Sequence, residues 1–349
     1  MEIGTYLPMN PHTAGEMAKY AEAQGFSHGW FGDLPLSFAD VYVSMAMAAK
    51  ATSKIKLGTS IAVAPFRSPP VTVHSIATIN SLAPGRTILG FGSGSFGRAM
   101  AGLPPIKMSE FRRQIETIRG LLREGEALYE IEGKRRKIRF FNRDWKSINL
   151  EDPIPLYIGA SAPKAVALAG EFGDGLITGG PPIPEFFAWL LQLARAAAEK
   201  IGRQLPAKFP CVVESYLCVL HSGESLESSR VIETIGPLVI TGFRMMAMGA
   251  IPIERLPPST AAAYREWTEQ IGLAKCSPDE RHLTIWEGLF GLRPEERQFV
   301  TPEAIRSIGL VGTLDEVVDR IKALERSGVT QVSLGFADPE DIKAIAARV

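Results

Sequence analysis

The sequence predicts an α/β fold, an eight-stranded TIM-type (β/α)₈ barrel carrying insertion segments, on three observations. Short apolar strand-like runs alternate with helical patterns eight times along the 349 residues. No Gly-x-Gly-x-x-Gly follows the first run, which counts against the open doubly wound sheet, the other fold built from this alternation. The long irregular segments fall at the ends of strands, where barrels carry them.

Taken in order, Glu2–Leu7 is the first strand, closed by Pro8-Met9-Asn10-Pro11. Thr13–Gln24 is helical, with Thr13 and Glu16 at capping-box spacing and Gly25 at its end. His28–Asp33 is the second strand, and Val41–Thr52 the second helix. Ile55–Gly102 is the clearest unit. Ile55–Val63 is β-branched and apolar, as a buried parallel strand would be, and Pro69–Leu82 places Val71, Val73, Ile76, Ile79 and Leu82 at helical spacing behind two first-turn prolines. Arg86–Phe91 then runs as the fourth strand into Gly92-Ser93-Gly94, completing a right-handed βαβ unit.

Ser109–Arg123 is the next helix, with Ser109 as its N-cap, and Gly125–Pro153 is a loop insertion holding a hairpin at Tyr129–Lys134. Pro155–Ala160, Gly175–Thr178 and Cys211–Leu220 are strands five to seven. The helices behind them are Pro163–Glu171, Pro184–Ile201 and a segment opening at Ser225. Ile240–Thr301 lacks strand periodicity and is expected to be a mostly helical excursion. Leu314–Ser327 is an amphipathic helix, Gln331–Gly335 the eighth strand and Ile342–Arg348 the last helix. One domain over 1–349 is expected, with insertions at about 125–153 and 240–301.

Composition narrows the function. The chain carries 38 basic and 38 acidic side chains, so a nucleic-acid or other polyanion binder is not expected. The one basic run, Lys134–Lys137 with Arg139, reads as the solvated face of the hairpin. No apolar run approaches the roughly 20 residues of a membrane span, and because Met1-Glu2-Ile3 opens on a strand-like segment, a secretory signal is not expected. Cys211, Cys218 and Cys276 lack metal-site spacing, and a reducing, cytoplasmic location is expected.

In a barrel, function sits at the carboxyl ends of the strands, here including Ser60–Pro69, Gly92–Gly97, Gly159–Lys164, Thr178–Pro182 and Gly335–Asp338. Gly92-Ser93-Gly94-Ser95 and Gly159-Ala160-Ser161-Ala162-Pro163-Lys164 read either as turn glycines or as a phosphate cradle, the second opening directly into a helix. Asp33 is a lone carboxylate beside Trp30 and Phe31, suited either to acid–base work or to capping the next helix. His74, inside the third helix, reads as packing. No pair of histidines at ligand spacing accompanies a carboxylate, so no metal centre is expected, and no nucleophile elbow supports acyl transfer. Wide glycine loops with few ionisable groups fit a bound cofactor that carries the chemistry itself.

Ile55–Gly102 resembles the signature of the bacterial luciferase-like superfamily, and more narrowly its coenzyme F420-dependent methylenetetrahydromethanopterin reductase branch. The matching pieces are Leu57-Gly58-Thr59, Arg67-Ser68-Pro69-Pro70, Ile76-Ala77-Thr78-Ile79 and Gly85-Arg86 through Gly94. Further matches are Pro155 through Lys164, Leu168-Ala169-Gly170-Glu171, Asp174-Gly175 and Val311-Gly312-Thr313. Departures fall at Ser68, Ser95 and Ala162.

The resemblance implies a barrel holding coenzyme F420, or alternatively FMN, in its mouth, and hydride transfer to or from a small organic substrate. It implies a strand bulge, often with a non-proline cis peptide, at Thr59, Ser60 and Ile61 against one ring face. Gly92, Ser93, Gly94 and Ser95 would flank the ring or its side chain, and Gly159, Ala160, Ser161, Ala162 and Lys164 would hold the phosphate. Asp33 would lie near the reactive ring edge as the catalytic acid position, and a homodimer is expected. An FMN monooxygenase and a cofactor-free barrel binding protein are the competing readings.

Overall fold

Eight parallel strands close on themselves in the computed structural model, which describes all residues except 250–252, 254–257 and 336–337. The barrel strands are β1 (Glu2–Tyr6), β2 (His28–Phe31), β3 (Lys56–Thr59), β5 (Thr87–Gly92), β8 (Leu156–Gly159), β9 (Gly175–Gly179), β10 (Cys211–Val219) and β12 (Gln331–Gly335), in that order around the ring. Pairing of β12 with both β10 and β1 closes it. The two-residue β4 (Ala62–Val63) rejoins β5 after a break, β6 (Glu126–Ile131) and β7 (Lys134–Arg139) form a separate antiparallel hairpin, and β11 (Leu310–Gly312) pairs with β10 at Leu217–Val219.

The strands are apolar on both faces because both are covered. Outward residues such as Ile3, Leu57, Leu89, Phe91, Ile158, Leu176, Val213 and Leu334 join the large core shared with the surrounding helices. Those helices are α1 (Ala14–Ala23), α2 (Val41–Ala51), α3 (Pro69–Leu82), α4 (Ser95–Met100), α5 (Met108–Glu124), α6 (Pro163–Phe172), α7 (Pro184–Lys200), α8 (Ser229–Ala247), α9 (Pro258–Gln270), α10 (Arg281–Trp286), α11 (Pro302–Ile308), α12 (Leu314–Arg326) and α13 (Pro339–Ala346). Inward, Trp30, Ile88, Ile177 and Val212 plug the middle of the barrel. Trp30 Nε1 donates to Gln331 Oε1 at 2.8 Å, which orients the Gln331 amide so that Nε2 faces His28 Nδ1 at 2.6 Å. Burial and the charge of Lys56 push the His28 pKa down to about 3, so this ring is a neutral part of the plug.

All eight expected strands form, and α3 spans the expected residues. The differences are local. The Ile55–Val63 run is not one strand: it breaks into β3 and β4 around a cis Ser60–Ile61 peptide. Thr13 makes no side-chain cap bond, so the capping box with Glu16 does not form, and α5 is preceded by Lys107 rather than capped by Ser109. The helix expected from Ser225 starts at Ser229, with Ser228 accepting from Val231 N–H. His74 lies on the exposed face of α3, outside the core. The short α4 and β11 had no clear periodic signal.

The 240–301 excursion is mostly helical and builds a satellite core around Trp267, Phe243 and Phe299. Trp267 Nε1 donates to Glu296 Oε1 at 3.1 Å, beside the fully buried Arg244. Part of this excursion, and Phe336 and Ala337 of the last strand end, lie outside the described residues. Among the described residues, no helix is long and apolar enough to cross a membrane.

Candidate active site at the barrel mouth

Toward their carboxyl ends, the last inward positions of β5, β8, β9 and β12 are Gly92, Gly159, Gly179 and Gly335, with Ser333 inward one step below Gly335. Side-chain alternation along a strand sets these positions. These four strand ends contribute no side chain of their own to the rim. The opposite side is polar: Tyr6 of β1, Ser60 just past β3, and Glu214 and Tyr216 of β10. Gly335 lies beneath the rings of Tyr6 and Tyr216, at 3.3 and 3.7 Å from where its Cβ would be, and a Cβ on Gly179 would meet nothing closer than 4.0 Å.

The floor of the opening comes from the break in the third strand. Thr59 Oγ1 donates to the Gly90 carbonyl at 2.7 Å, tying the end of β3 to β5, and the chain then leaves the ladder through Ser60 and Ile61. Ile61 is carried across the mouth. A Cβ on Gly92 would stand 2.0 Å from Ile61 Cδ1, and one on Gly159 would stand 2.6 Å from Ile61 Cγ2. These two glycines thus make room for Ile61, whose half-buried side chain is an apolar surface for a flat ligand. The Thr59 side chain is fully buried in the sheet and does not reach the opening. Gly94 is fixed by packing, with φ at +67° and Val63 Cγ1 2.0 Å from its would-be Cβ. Ser93 and the exposed Ser95 place their hydroxyls 3.5 Å apart on the adjoining rim.

On the far side, β8 runs through Gly159 and Ala160 into α6. Ala160 N–H is taken by the Ile177 carbonyl at 2.9 Å, and Ser161 Oγ lies 3.0 Å from both Thr178 Oγ1 and the Gly179 carbonyl. Pro163 occupies the first helical turn, and Ser161, Ala162 and Lys164 are exposed. Among the described residues their backbone N–H groups find no acceptor in the protein. Free N–H groups at a helix start, beside a lysine, suit an anion such as a phosphate.

Asp33 is not the lone carboxylate expected. Its Oδ2 is 2.6 Å from Arg67 Nη1 and accepts from Val63 N–H at 3.3 Å, so it ties β2 to the segment after the bulge. The cap of α2 is Asp40, which accepts from Tyr42 N–H at 2.9 Å and from Val43 N–H at 3.2 Å. Arg67 Nη2 reaches the same Asp40 at 2.6 Å, and its guanidinium lies 5.2 Å from the Tyr42 ring centre.

The unforeseen group is Glu214. Ser60 Oγ donates to its Oε1, and Tyr6 OH lies 3.5 Å from the same Ser60 oxygen. Withdrawal from water raises the Glu214 carboxyl above its ordinary range, and the Ser60 and Tyr6 hydrogen bonds offset only part of that. Burial, then the nearby Glu214 charge, pushes Tyr6 well up, and the same two causes put Tyr216 at about 12. The signal was in the sequence: Glu214 is the single charge in the apolar run 211–220.

A sequence model of the luciferase-like monooxygenase family matches residues 2–331. The 5,10-methylenetetrahydromethanopterin reductase of Methanopyrus kandleri is 29% identical over 96% of this chain and 92% of its own length. An F420-dependent glucose-6-phosphate dehydrogenase of Beutenbergia cavernae is 30% identical over 81% of this chain and 83% of its own. In three dimensions, an F420-dependent secondary alcohol dehydrogenase solved with an F420–acetone adduct superposes with a TM-score of 0.70 at 19% identity. It covers 100% of this chain, and 98% of that one is matched.

Proposed function

This chain belongs to the luciferase-like monooxygenase family, and from that premise we propose that it is a coenzyme F420-dependent oxidoreductase acting on a small organic substrate. The observation that carries this reading is the mouth itself. An apolar floor at Ile61, set among strand-end glycines, lies beside a loop of exposed N–H groups at the start of α6. A relative 30% identical over 81% of the chain is F420-dependent by name.

When bound, a 5-deazaflavin supplies a two-electron hydride. The rest falls to the protein. Ile61 and Ser60 support one face of the ring, with Thr59 anchoring the bulge to β5. Gly92, Ser93, Gly94 and Ser95 flank it on the rim. Gly159, Ala160, Ser161, Ala162 and Lys164 hold the phosphate. Asp33 acts at a distance, positioning the bulge through Val63 and Arg67. FMN is the second reading, because the same floor and phosphate loop suit its ring and phosphate, and the family takes its name from monooxygenases.

Equilibrium titration with F420 and with FMN, each alone, tests this reading. F420 is expected to bind and FMN to bind far more weakly. The reverse supports the FMN reading, and binding of neither overturns both in favour of a cofactor-free barrel. In the same titration, Lys164→Ala is expected to weaken F420 binding about fivefold at low salt, and less at high salt, where an exposed charge is screened.

A further inference from the structure

We propose that Glu214 is the proton donor of this site: it carries, as a carboxylic acid, the proton that an uncharged carbonyl or imine acceptor takes up when it is reduced. The inference rests on the F420 reading above and names the acceptor class, a carbonyl or imine.

Four observations place it there. Glu214 stands on an inward position of β10, flanked in register by Gly179 of β9, where an added Cβ would meet nothing closer than 4.0 Å, and by Ser333 of β12. Its partners, Ser60 and Tyr6, are hydroxyls, and Ser60 is the first residue of the bulge that supports the ring. Ser333, its register neighbour on β12, is 1% exposed, and its hydroxyl has no partner among the described residues. A buried donor left unpaired beside an acid points to a polar ligand atom. Finally, Arg67 is committed to Asp33 and Asp40, and Lys164 is given to the phosphate loop, so neither serves an anionic acceptor.

The titratable groups facing Glu214 among the described residues are Tyr6 and Tyr216, both shifted upward. Neither carries a positive charge that would stabilise the carboxylate. Low exposure to water favours the neutral acid.

The acceptor carbon gains hydride, with its electron pair, from a reduced 5-deazaflavin. The C=O or C=N π bond breaks toward the heteroatom, which takes the Glu214 proton. Glu214 is left as carboxylate and regains a proton from water. The substrate is reduced by two electrons and the deazaflavin oxidised by two.

Difference infrared spectroscopy on protein labelled with ¹³C-glutamate reads the acid directly. At neutral pH the wild type is expected to show a protonated carboxyl band that is lost on raising pH, that is missing in Glu214→Gln, and that shifts when F420 saturates the site. A band that persists in Glu214→Gln, that is never seen, or that ignores F420 overturns the assignment. Should Glu214→Gln fail to fold, Ser60→Ala removes the same hydrogen bond and has to move the band; an unmoved band overturns it equally.

With acetone, cyclohexanone and benzaldehyde as probes, bound reduced F420 is expected to be oxidised by at least one. Glu214→Gln should then slow that oxidation about a hundredfold or more. Equal rates, or an inert panel, contradict the proton-donor role. Because F420 binding is measured separately, failure of the cofactor reading is distinguishable from failure of this one.

Discussion

Arg67→Ala is expected to destabilise the protein by about 3–5 kcal/mol, the cost of leaving one partner of a buried ion pair behind. Asp33 is 4% exposed, and without Arg67 it keeps only the long hydrogen bond from Val63 N–H. Denaturant unfolding at neutral pH checks it. The double change Asp33→Asn with Arg67→Ala should recover part of the loss, whereas an unchanged midpoint in the single variant would remove the pair from the account.

Gly90→Ala is expected to cost about 3 kcal/mol or more and to disorder the bulge, the upper end of what overpacking does. A Cβ there would stand 2.0 Å from the Thr59 carbonyl oxygen and 2.7 Å from Ile177 Cδ1. The first contact is backbone and cannot rotate away. Because Thr59 also holds Gly90 through its hydroxyl, moving β5 moves the start of the ring-supporting segment. Gly242→Ala is the control, since a Cβ at that helical position meets only Ile308 Cδ1 at an ordinary 3.5 Å. It should be neutral or slightly stabilising. Loss of F420 binding in Gly90→Ala beyond what unfolding explains would be the signature of a displaced floor.

These two cases also show what can and cannot be read from the chain. The barrel was legible because each strand is an apolar run and each helix an amphipathic one, and these signals are local. The break at Ser60–Ile61 was not legible from composition: Ile55–Val63 reads as one β-branched strand, and only the family resemblance implied a bulge. Asp33 looked alone because Arg67 lies 34 positions away in sequence, and an ion pair at that separation leaves no local mark. Thr13 and Glu16 have capping-box spacing, yet Thr13 makes no cap bond. Glu214 could have been found by asking why a charge interrupts a strand buried on both faces. In sequence, Gly92 and Gly159 read as turn glycines or part of a phosphate cradle, and nothing local shows that they also accommodate Ile61.

The central claim is that Ile61, among the strand-end glycines, is the surface on which a flat cofactor ring lies. A crystal structure of the protein with F420 bound tests it most directly. The account predicts the deazaflavin ring in van der Waals contact with Ile61 and the phosphate within hydrogen-bond reach of the Ser161, Ala162 and Lys164 N–H groups. A ring bound elsewhere, for instance in the cleft lined by Gly102, Met248, Arg281 and His282, would contradict it.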